Sequence, residues 1–147
     1  MRPIVRTLGY VGPALFLAVQ AHSATIHVPA DPPSLALVRL FVAAIGRHAD
    51  FQEEDVDDLK LALTEVCSAA IEAATGDHDA VTVEVGWSTA PVELAVHVTS
   101  SSAFSTGDPA SSDRAGLLDA LGVVVLGTDD GHGAAFASTR GTSAGSP

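Results

Sequence analysis

The segment Leu61-Ala-Leu-Thr-Glu65-Val-Cys-Ser-Ala69-Ala-Ile-Glu-Ala73 lies at the centre of a long helical pattern in this 147-residue chain. From Glu53 to Thr75, apolar residues recur at intervals of three and four, which predicts an amphipathic helix with one buried stripe. The stripe consists of Val56, Leu59, Leu63, Val66, Ala70 and Ala73. Glu65 lies off this stripe, on a flank that also holds Ala62, Ala69 and Glu72. The pattern therefore places a carboxylate at the border of the core.

A strand and a second helix are predicted ahead of this segment. Thr25 to Val28 alternates between polar and apolar residues, as a short strand does. Pro32 to Arg47 is predicted as an amphipathic helix, with Asp31 as its capping carboxylate and proline in its first turn. Its apolar stripe consists of Leu35, Val38, Val42 and Ile45.

Strict alternation follows the long helix. Val81 to Trp87 and Val92 to Val98 each place every second residue on an apolar face, which predicts an antiparallel hairpin with one buried face. The polar stretch from Thr99 to Asp113 is then expected to be a loop.

The remaining pattern predicts a short helix and a second hairpin. The helix runs from Arg114 to about Leu121, and the hairpin joins Val123–Leu126 to Ala134–Thr139 through an Asp-Gly turn. With 47% apolar and 17% charged residues, the chain is expected to form one globular domain. The order of elements predicts an α+β fold, a two-layer sandwich with helices on one face of a mostly antiparallel sheet.

Acidic residues dominate the charge of the chain. The net charge is −11, and all 18 Asp and Glu lie at or after Asp31, against five basic residues after Thr25. So negative a domain repels phosphate backbones, which argues against nucleic-acid binding and favours basic protein partners. The densest cluster is in the first turns of the long helix: Glu53, Glu54, Asp55, Asp57 and Asp58. It is either a solvated helix start that suits the dipole or a docking surface for a basic partner.

Cysteine and histidine give no sign of a metal or redox centre. Cys67 is the only cysteine, so an intramolecular disulfide is excluded, and its apolar neighbours predict a small buried residue. The six histidines show no paired ligand spacing. Asp129-Asp130-Gly-His132 and Asp77-His78-Asp79 are interpreted as turns, with metal binding as the less favoured alternative for the first. We expect no metal site among these residues.

The N-terminal segment 1–24 stands apart from the domain. It has a basic start, an apolar run from Gly9 to Val19 and small residues at its exit, which is typical of a secretory signal. The run is too short to span a bilayer. A start codon assigned too far upstream and an extension packed on the domain are the alternatives. We expect the domain to occupy residues 25–140 and residues 141–147 to form a disordered tail.

The segment from Leu61 to Ala73 resembles the N-box of the anti-sigma-factor serine kinases, the RsbW and SpoIIAB type of the histidine-kinase-like ATPase (GHKL) superfamily. That box reads Leu-Ala-x-x-Glu-x-x-x-Asn-Ala-x-x-His; its glutamate acts on the attacking hydroxyl and its asparagine holds magnesium. The resemblance assigns Glu65 to the glutamate, Ala69 to the asparagine and Ala73 to the histidine. An alanine methyl offers no oxygen to a hard cation, so the magnesium ligand is missing.

Two further boxes of that family are incomplete here. The family's Asp-x-Gly-x-Gly box, whose aspartate reads the adenine, corresponds to the stretch around Thr99 and Ser100, which has neither residue type. The Gly-Leu-Gly-Leu segment that opens the phosphate-receiving helix corresponds to Arg114-Ala-Gly116-Leu-Leu, which has a single glycine. Together with Ala69, these positions imply a degraded site for ATP and magnesium. We expect weak or absent phosphoryl transfer and a vestigial Glu65.

The family resemblance also implies a function through protein binding. Its members dimerise, sequester a sigma factor in stress-response transcription and are released by a STAS-type anti-anti-sigma factor. We therefore expect a cytoplasmic, homodimeric anti-sigma factor of a divergent actinobacterial type. Arg39 lies where family members present an arginine to both partners, although a simply solvated arginine is the alternative. An active serine kinase that phosphorylates the antagonist, and an exported domain that retains only the fold, stay open as other functions.

Overall fold

The computed structural model of the chain describes residues 22–89, 92–106 and 112–139. The elements, in order, are β1 (His22–Pro29), α1 (Ser34–His48), α2 (Glu53–Ala73), β2 (Ala80–Thr89), β3 (Val92–Ser100), α3 (Ser112–Ala120), β4 (Leu126–Gly127) and β5 (Gly133–Thr139). This is the predicted order. β1 begins at His22, inside the segment that the sequence assigned to the N-terminal extension. Most of that segment and the expected tail at 141–147 lie outside the described residues.

The strands form one five-stranded sheet in the order β1-β2-β3-β5-β4, with antiparallel pairing throughout. The predicted first hairpin is present, with Val83 opposite Val98 and Val85 opposite Val96. β5 pairs with β3 on its inner side and with the two-residue β4 on its outer side. The strand before the second turn is therefore shorter than the sequence indicated.

The helices α1 and α2 cover one face of this sheet, and the core lies between the two layers. The predicted stripes of both helices are buried there, except that Leu35 and Ala73 at the stripe ends are only partly buried. Alternate residues of the strands complete the core: Val81, Val83, Val85, Leu94, Val96, Val98 and Phe136. The two-layer α+β prediction is confirmed. None of the helices within the described ranges is long and apolar enough to cross a membrane.

The start of α1 differs from the expected carboxylate cap. Pro33 occupies the cap position without a side-chain hydrogen bond, and Asp31 instead accepts a hydrogen bond from the Ser34 hydroxyl at 2.9 Å. The reason is that two consecutive prolines follow Asp31, and proline has no N–H to donate to a carboxylate. The helix therefore begins at Ser34, whose own N–H donates to the Asp31 carbonyl at 3.1 Å.

Gly46 sets how closely α1 approaches α2. A Cβ atom at this position would lie 3.2 Å from Val56 Cγ2, closer than ordinary van der Waals contact. The chain then turns between the helices through Asp50, which has a positive φ of 65°. The close approach buries Val42 and Val56 between the two helices and fixes their relative position over the sheet.

The outer face of the sheet contains a buried histidine. His97 on β3 is opposite Glu84 on β2, and its Nδ1 lies 3.5 Å from Glu84 Oε1. Its Nε2 lies 3.0 Å from where a Cβ of residue 133 would stand, so Gly133 leaves room for the imidazole ring. Burial lowers the pKa of His97 from its ordinary value, while the nearby carboxylate of Glu84 opposes that shift.

Candidate functional site

The flank of α2 that carries Glu65 faces α3. Glu65, Ala69 and Glu72 follow one another at intervals of four and three, so they share one side of the helix. Ala69 is buried and the Glu65 carboxylate is partly exposed. The neighbouring Val66 and Ala70 point into the core and fix the rotation of the helix. The predicted border position of Glu65 is thereby confirmed.

An arginine from α3 contacts both carboxylates of this flank. Arg114 Nε donates to Glu65 Oε1 at 3.3 Å, and Arg114 Nη2 donates to Glu72 Oε2 at 2.8 Å. The Arg114 side chain is only 11% exposed, whereas that of Glu72 is 64% exposed. The guanidinium thus lies between α2 and α3 and covers the side of α2 that carries Glu65 and Glu72.

This role of Arg114 was not predicted, although the sequence contains a signal for it. Arg114 is the only Lys or Arg from residue 61 to residue 139, in a stretch rich in acidic residues. An isolated basic residue in such surroundings favours an ion pair within the domain. Gly116, predicted as the phosphate-loop glycine, lies on α3, and a Cβ there would meet no atom within 4 Å. Nothing at that position requires a glycine.

Thr99 and Ser100, the predicted adenine-reading positions, lie at the end of β3. Thr99 is paired with Thr82 on one side and Gly133 on the other. Ser100 is buried; its N–H donates to the His132 carbonyl at 2.9 Å, and its hydroxyl accepts the Ser102 N–H at 3.3 Å. These groups hold the end of β3 to the turn before β5, and they bring no carboxylate to the place where the family has its aspartate.

A carboxylate that contacts the loop just after this strand is Asp79, which was predicted only as part of a turn. Asp79 Oδ2 accepts hydrogen bonds from the Ser102 hydroxyl at 2.7 Å, the Thr75 N–H at 2.8 Å and the Gly76 N–H at 3.1 Å. The Ser102 hydrogen bond, followed by the two backbone ones, lowers the pKa of Asp79. Its role is to join the end of α2 to the loop after β3.

The acidic turn before β5 is a hairpin turn, as predicted. The Thr128 hydroxyl donates to Asp130 Oδ1 at 2.6 Å, and the His132 N–H donates to the same oxygen at 2.9 Å. These bonds lower the pKa of Asp130, and Gly131 supplies the positive φ of 76°. Within the described residues, no group of three or more His, Cys, Asp or Glu is arranged to hold a metal ion.

Arg39 lies on a different surface, the outer side of α1 and α2. Its Nε donates to the Thr64 hydroxyl at 2.9 Å, which in turn donates to the Lys60 carbonyl at 2.7 Å. Three exposed leucines share these two helices: Leu37 at 50%, Leu40 at 69% and Leu61 at 46% exposure. We call Arg39, Leu37, Leu40 and Leu61 the α1–α2 surface. It combines a positioned arginine with apolar side chains that the core does not use.

The acidic cluster at the start of α2 is partly used inside the domain. Glu53 forms a two-point ion pair with Arg47, with distances of 2.8 and 2.9 Å. Asp55 is buried, and Asp57 lies 3.8 Å from Lys60 Nζ. The interpretation as a solvated helix start therefore holds for part of the cluster only.

The fold agrees with what comparison with known proteins finds. A family described as "Histidine kinase-like ATPase domain" matches residues 28–135. The chain therefore belongs to this family, and the resemblance recognised from the Glu65 box is confirmed.

Two relatives give the comparison more detail. A 52-residue stretch is 31% identical to the serine-protein kinase RsbW of Bacillus velezensis, and it covers 35% of this chain and 32% of that protein. A solved structure of the RsbU and RsbW domains of a Mycobacterium tuberculosis protein superposes with a TM-score of 0.54 at 13% identity. It covers 82% of this chain and 32% of that one, and it supports the fold. The chain thus spans 32% of the length of each relative.

The α2 flank lacks a ligand for the magnesium ion that accompanies ATP, the cofactor that the family name implies. Magnesium takes oxygen ligands in a strict octahedral arrangement, and Ala69 offers only a methyl group. The Glu65 carboxylate, the remaining family position on this helix, is bonded to the Arg114 guanidinium. The residues present on this flank therefore hold a side-chain cation rather than a metal ion.

Proposed function

We propose that this chain is an anti-sigma factor that acts by protein binding. In this proposal it sequesters a sigma factor, a STAS-type anti-anti-sigma factor counters it, and phosphoryl transfer is weak or absent. The observation that carries the proposal is the contrast between its two surfaces: the α1–α2 surface is exposed, while the Glu65 carboxylate is bonded to Arg114. We further propose a cytoplasmic, homodimeric protein whose domain begins with β1 at His22, just before the predicted start at Thr25, and extends to about residue 140.

The chemistry of the α1–α2 surface supports binding to a protein. Leu40 is adjacent to Arg39 in sequence, and Leu37 lies one turn before Leu40, so the apolar groups flank the arginine. Arginine beside exposed apolar side chains is a combination that protein interfaces favour. The Thr64 hydroxyl holds Arg39 in place before a partner arrives, which reduces the entropy that binding costs.

Charge supports a basic partner. The domain is even more negative than the whole chain with its net charge of −11, since all 18 acidic residues lie at or after Asp31 while two of the seven basic residues lie before it. An acidic protein attracts basic surfaces and accelerates their encounter at low salt. The exposed carboxylates of Glu54 and Asp57 lie on the same helix as Leu61, so they extend the α1–α2 surface with negative charge.

Loss of catalysis does not weaken this proposal, because sequestration needs a surface and not a chemical step. Efficient phosphoryl transfer depends on metal-assisted positioning of phosphates. Neither Ala69 nor Ser100 supplies the group that the family uses, and Glu65 is paired. A protein that retains the fold and the α1–α2 surface retains what binding requires.

Affinity capture with the full chain tests the proposal. The tagged protein is incubated with native cytosol of its source, with and without ATP, and captured proteins are identified by mass spectrometry. We expect a sigma factor or a STAS-domain protein in both conditions. Capture of a sigma factor only with ATP supports an active kinase instead, and capture of neither class contradicts the proposal.

A pair of matched variants locates the interaction. Leu40→Glu places a charge on the α1–α2 surface, whereas Val124→Glu changes another exposed apolar residue that lies outside both helices. We expect the first variant to lose the captured partner and the second to retain it. Equal capture by the two variants would exclude the α1–α2 surface as the binding site.

A further inference from the structure

Two carboxylates on α2 lie at either end of a gap filled by alanine. Glu65 and Glu72 are seven residues apart, which is about 10 Å along the axis of an α-helix, and both point to the same side. Ala69 lies between them on that side and is buried. The flank therefore has two negative ends, and Ala69 between them offers no polar group.

Arg114 spans this gap in a way that a shorter or rounder cation could not. Its Nε reaches Glu65 and its Nη2 reaches Glu72, so two nitrogens of one planar group bind two different carboxylates. The rigid fork of guanidinium suits such two-point contacts, whereas a lysine ammonium is a compact point charge. The small side chain of Ala69, between the two carboxylates, extends no further than its methyl group.

Burial makes the contact with Arg114 stronger than an ordinary surface pair. The Arg114 side chain is 11% exposed and that of Glu65 is 24% exposed, so both charges are largely removed from solvent. In such surroundings the two charges interact more strongly than in water. A guanidinium is also more weakly hydrated than an ammonium ion, and magnesium gives up its water reluctantly. Arginine is thus the cation that tolerates this position best.

We propose that Arg114 is the built-in cation of this site and takes the place that a divalent metal ion would need. While α3 is docked on α2, Glu65 is neutralised by the chain itself and is unavailable as a metal ligand or as a base. The site is then independent of divalent metal, and α3 is fastened to α2 by the same contact. This inference deepens the proposed function, because it gives the reason why the site would work without metal-assisted chemistry.

Titration with manganese tests the inference without any partner or nucleotide. Manganese stands in for magnesium and is read directly by electron paramagnetic resonance of the free ion, using the full chain. The variant Arg114→Met removes the charge but keeps an apolar stem for packing. Arg47→Met is the matched control, since it also removes one guanidinium that is bonded to a carboxylate of α2. The wild-type protein and Glu65→Gln complete the set.

We expect the wild-type protein and Glu65→Gln to bind manganese equally, because Glu65 is already engaged. Arg114→Met should bind manganese at least about tenfold more tightly than Arg47→Met. The reason is that the substitution removes the positive charge of Arg114, which repels a cation and is bonded to the Glu65 carboxylate. Adding Glu65→Gln to Arg114→Met should abolish the gain. Equal manganese affinities of the two Met variants overturn the inference. A lower manganese affinity of Glu65→Gln than of the wild-type protein also overturns it.

Folding and function are controlled separately. Circular dichroism checks that each variant is folded. If Arg114→Met unfolds, Arg114→Lys keeps one charge that can pair with only one carboxylate at a time, and its manganese affinity should exceed that of the wild type. An affinity equal to the wild type then overturns the inference. A negative titration with a positive capture experiment would reject the built-in cation and leave the anti-sigma proposal standing.

Discussion

At the scale of single residues, three side chains show how position decides chemistry. Glu65 is partly exposed on α2 and forms an ion pair with Arg114 of α3. Arg39 is exposed on α1, and its described contact is a hydrogen bond to the Thr64 hydroxyl. Cys67 lies two residues from Glu65 but points into the core. The same helix thus carries a paired carboxylate and an inert thiol on adjacent sides.

Arg39→Ala is expected to weaken partner binding and to leave the fold intact. Arg39 is exposed and its one described contact is to Thr64, so the melting temperature should change by less than about 2 °C. Binding is measured by calorimetric titration with the captured partner, and stability by thermal denaturation. A large loss of stability, or unaltered affinity, would exclude this role for Arg39.

The thiol of Cys67 is expected to be unreactive in the folded protein. Burial raises its pKa to about 12, so almost no thiolate forms at neutral pH. Alkylation of the folded protein by iodoacetamide at pH 8 should therefore be slow. It should become complete within minutes in about 6 M guanidinium chloride, because only hyperstable proteins have an unfolding midpoint above about 5 M. Mass spectrometry counts the added groups. Rapid alkylation of the folded protein would contradict the buried position.

At the scale of elements, the sequence predicted what periodicity alone determines. The stripes of α1 and α2 and the alternation in β2 and β3 follow from burial on one face, and both hairpins were predicted. The start of α1 was placed too early because Pro32 and Pro33 remove the donors that a carboxylate cap needs. The Arg114 bridge was missed because it joins residues 49 positions apart, a contact that no local pattern contains.

The close approach of α1 and α2 depends on the missing side chain of Gly46. Gly46→Val adds atoms where even a Cβ would lie 3.2 Å from Val56 Cγ2, and overpacking of this kind costs about 1–3 kcal/mol. Ala44→Val on the exposed side of α1 is the control, and should change stability by less than about 0.5 kcal/mol. Urea unfolding compares the two variants. Equal stabilities would show that the helices can separate without cost.

At the scale of the whole molecule, His97 on the outer face of the sheet makes the stability of the fold depend on pH. Because burial depresses its pKa below 6.5 in the folded protein, the unfolded chain binds a proton first as pH falls. The stability that neutral His97 contributes is present above pH 6.5 and is lost as pH falls from there through its lower folded pKa. The carboxylate of Glu84 reduces this effect without reversing it.

Replacing His97 by Gln should therefore flatten the decrease in stability from neutral pH to about pH 5. His27→Gln is a matched control, because His27 also lies on a strand of this sheet and bonds to Thr82, but is exposed. Free energies of unfolding are measured across this range for the wild type and both variants. Parallel curves for the wild type and His97→Gln would show that His97 is not the titrating group.

The order of strands has a consequence for synthesis of the chain. β1 leaves the ribosome before the other described strands, yet its partner is β2, and the register joins His22 to Trp87 and Pro29 to Ala80. The first strand therefore stays without its hydrogen-bonding neighbour until α1, α2 and most of β2 have emerged. Such a delay exposes unpaired strand edges to other nascent chains. The polar residues of β1, Ser23, Thr25 and His27, leave it few apolar groups with which to associate while it waits.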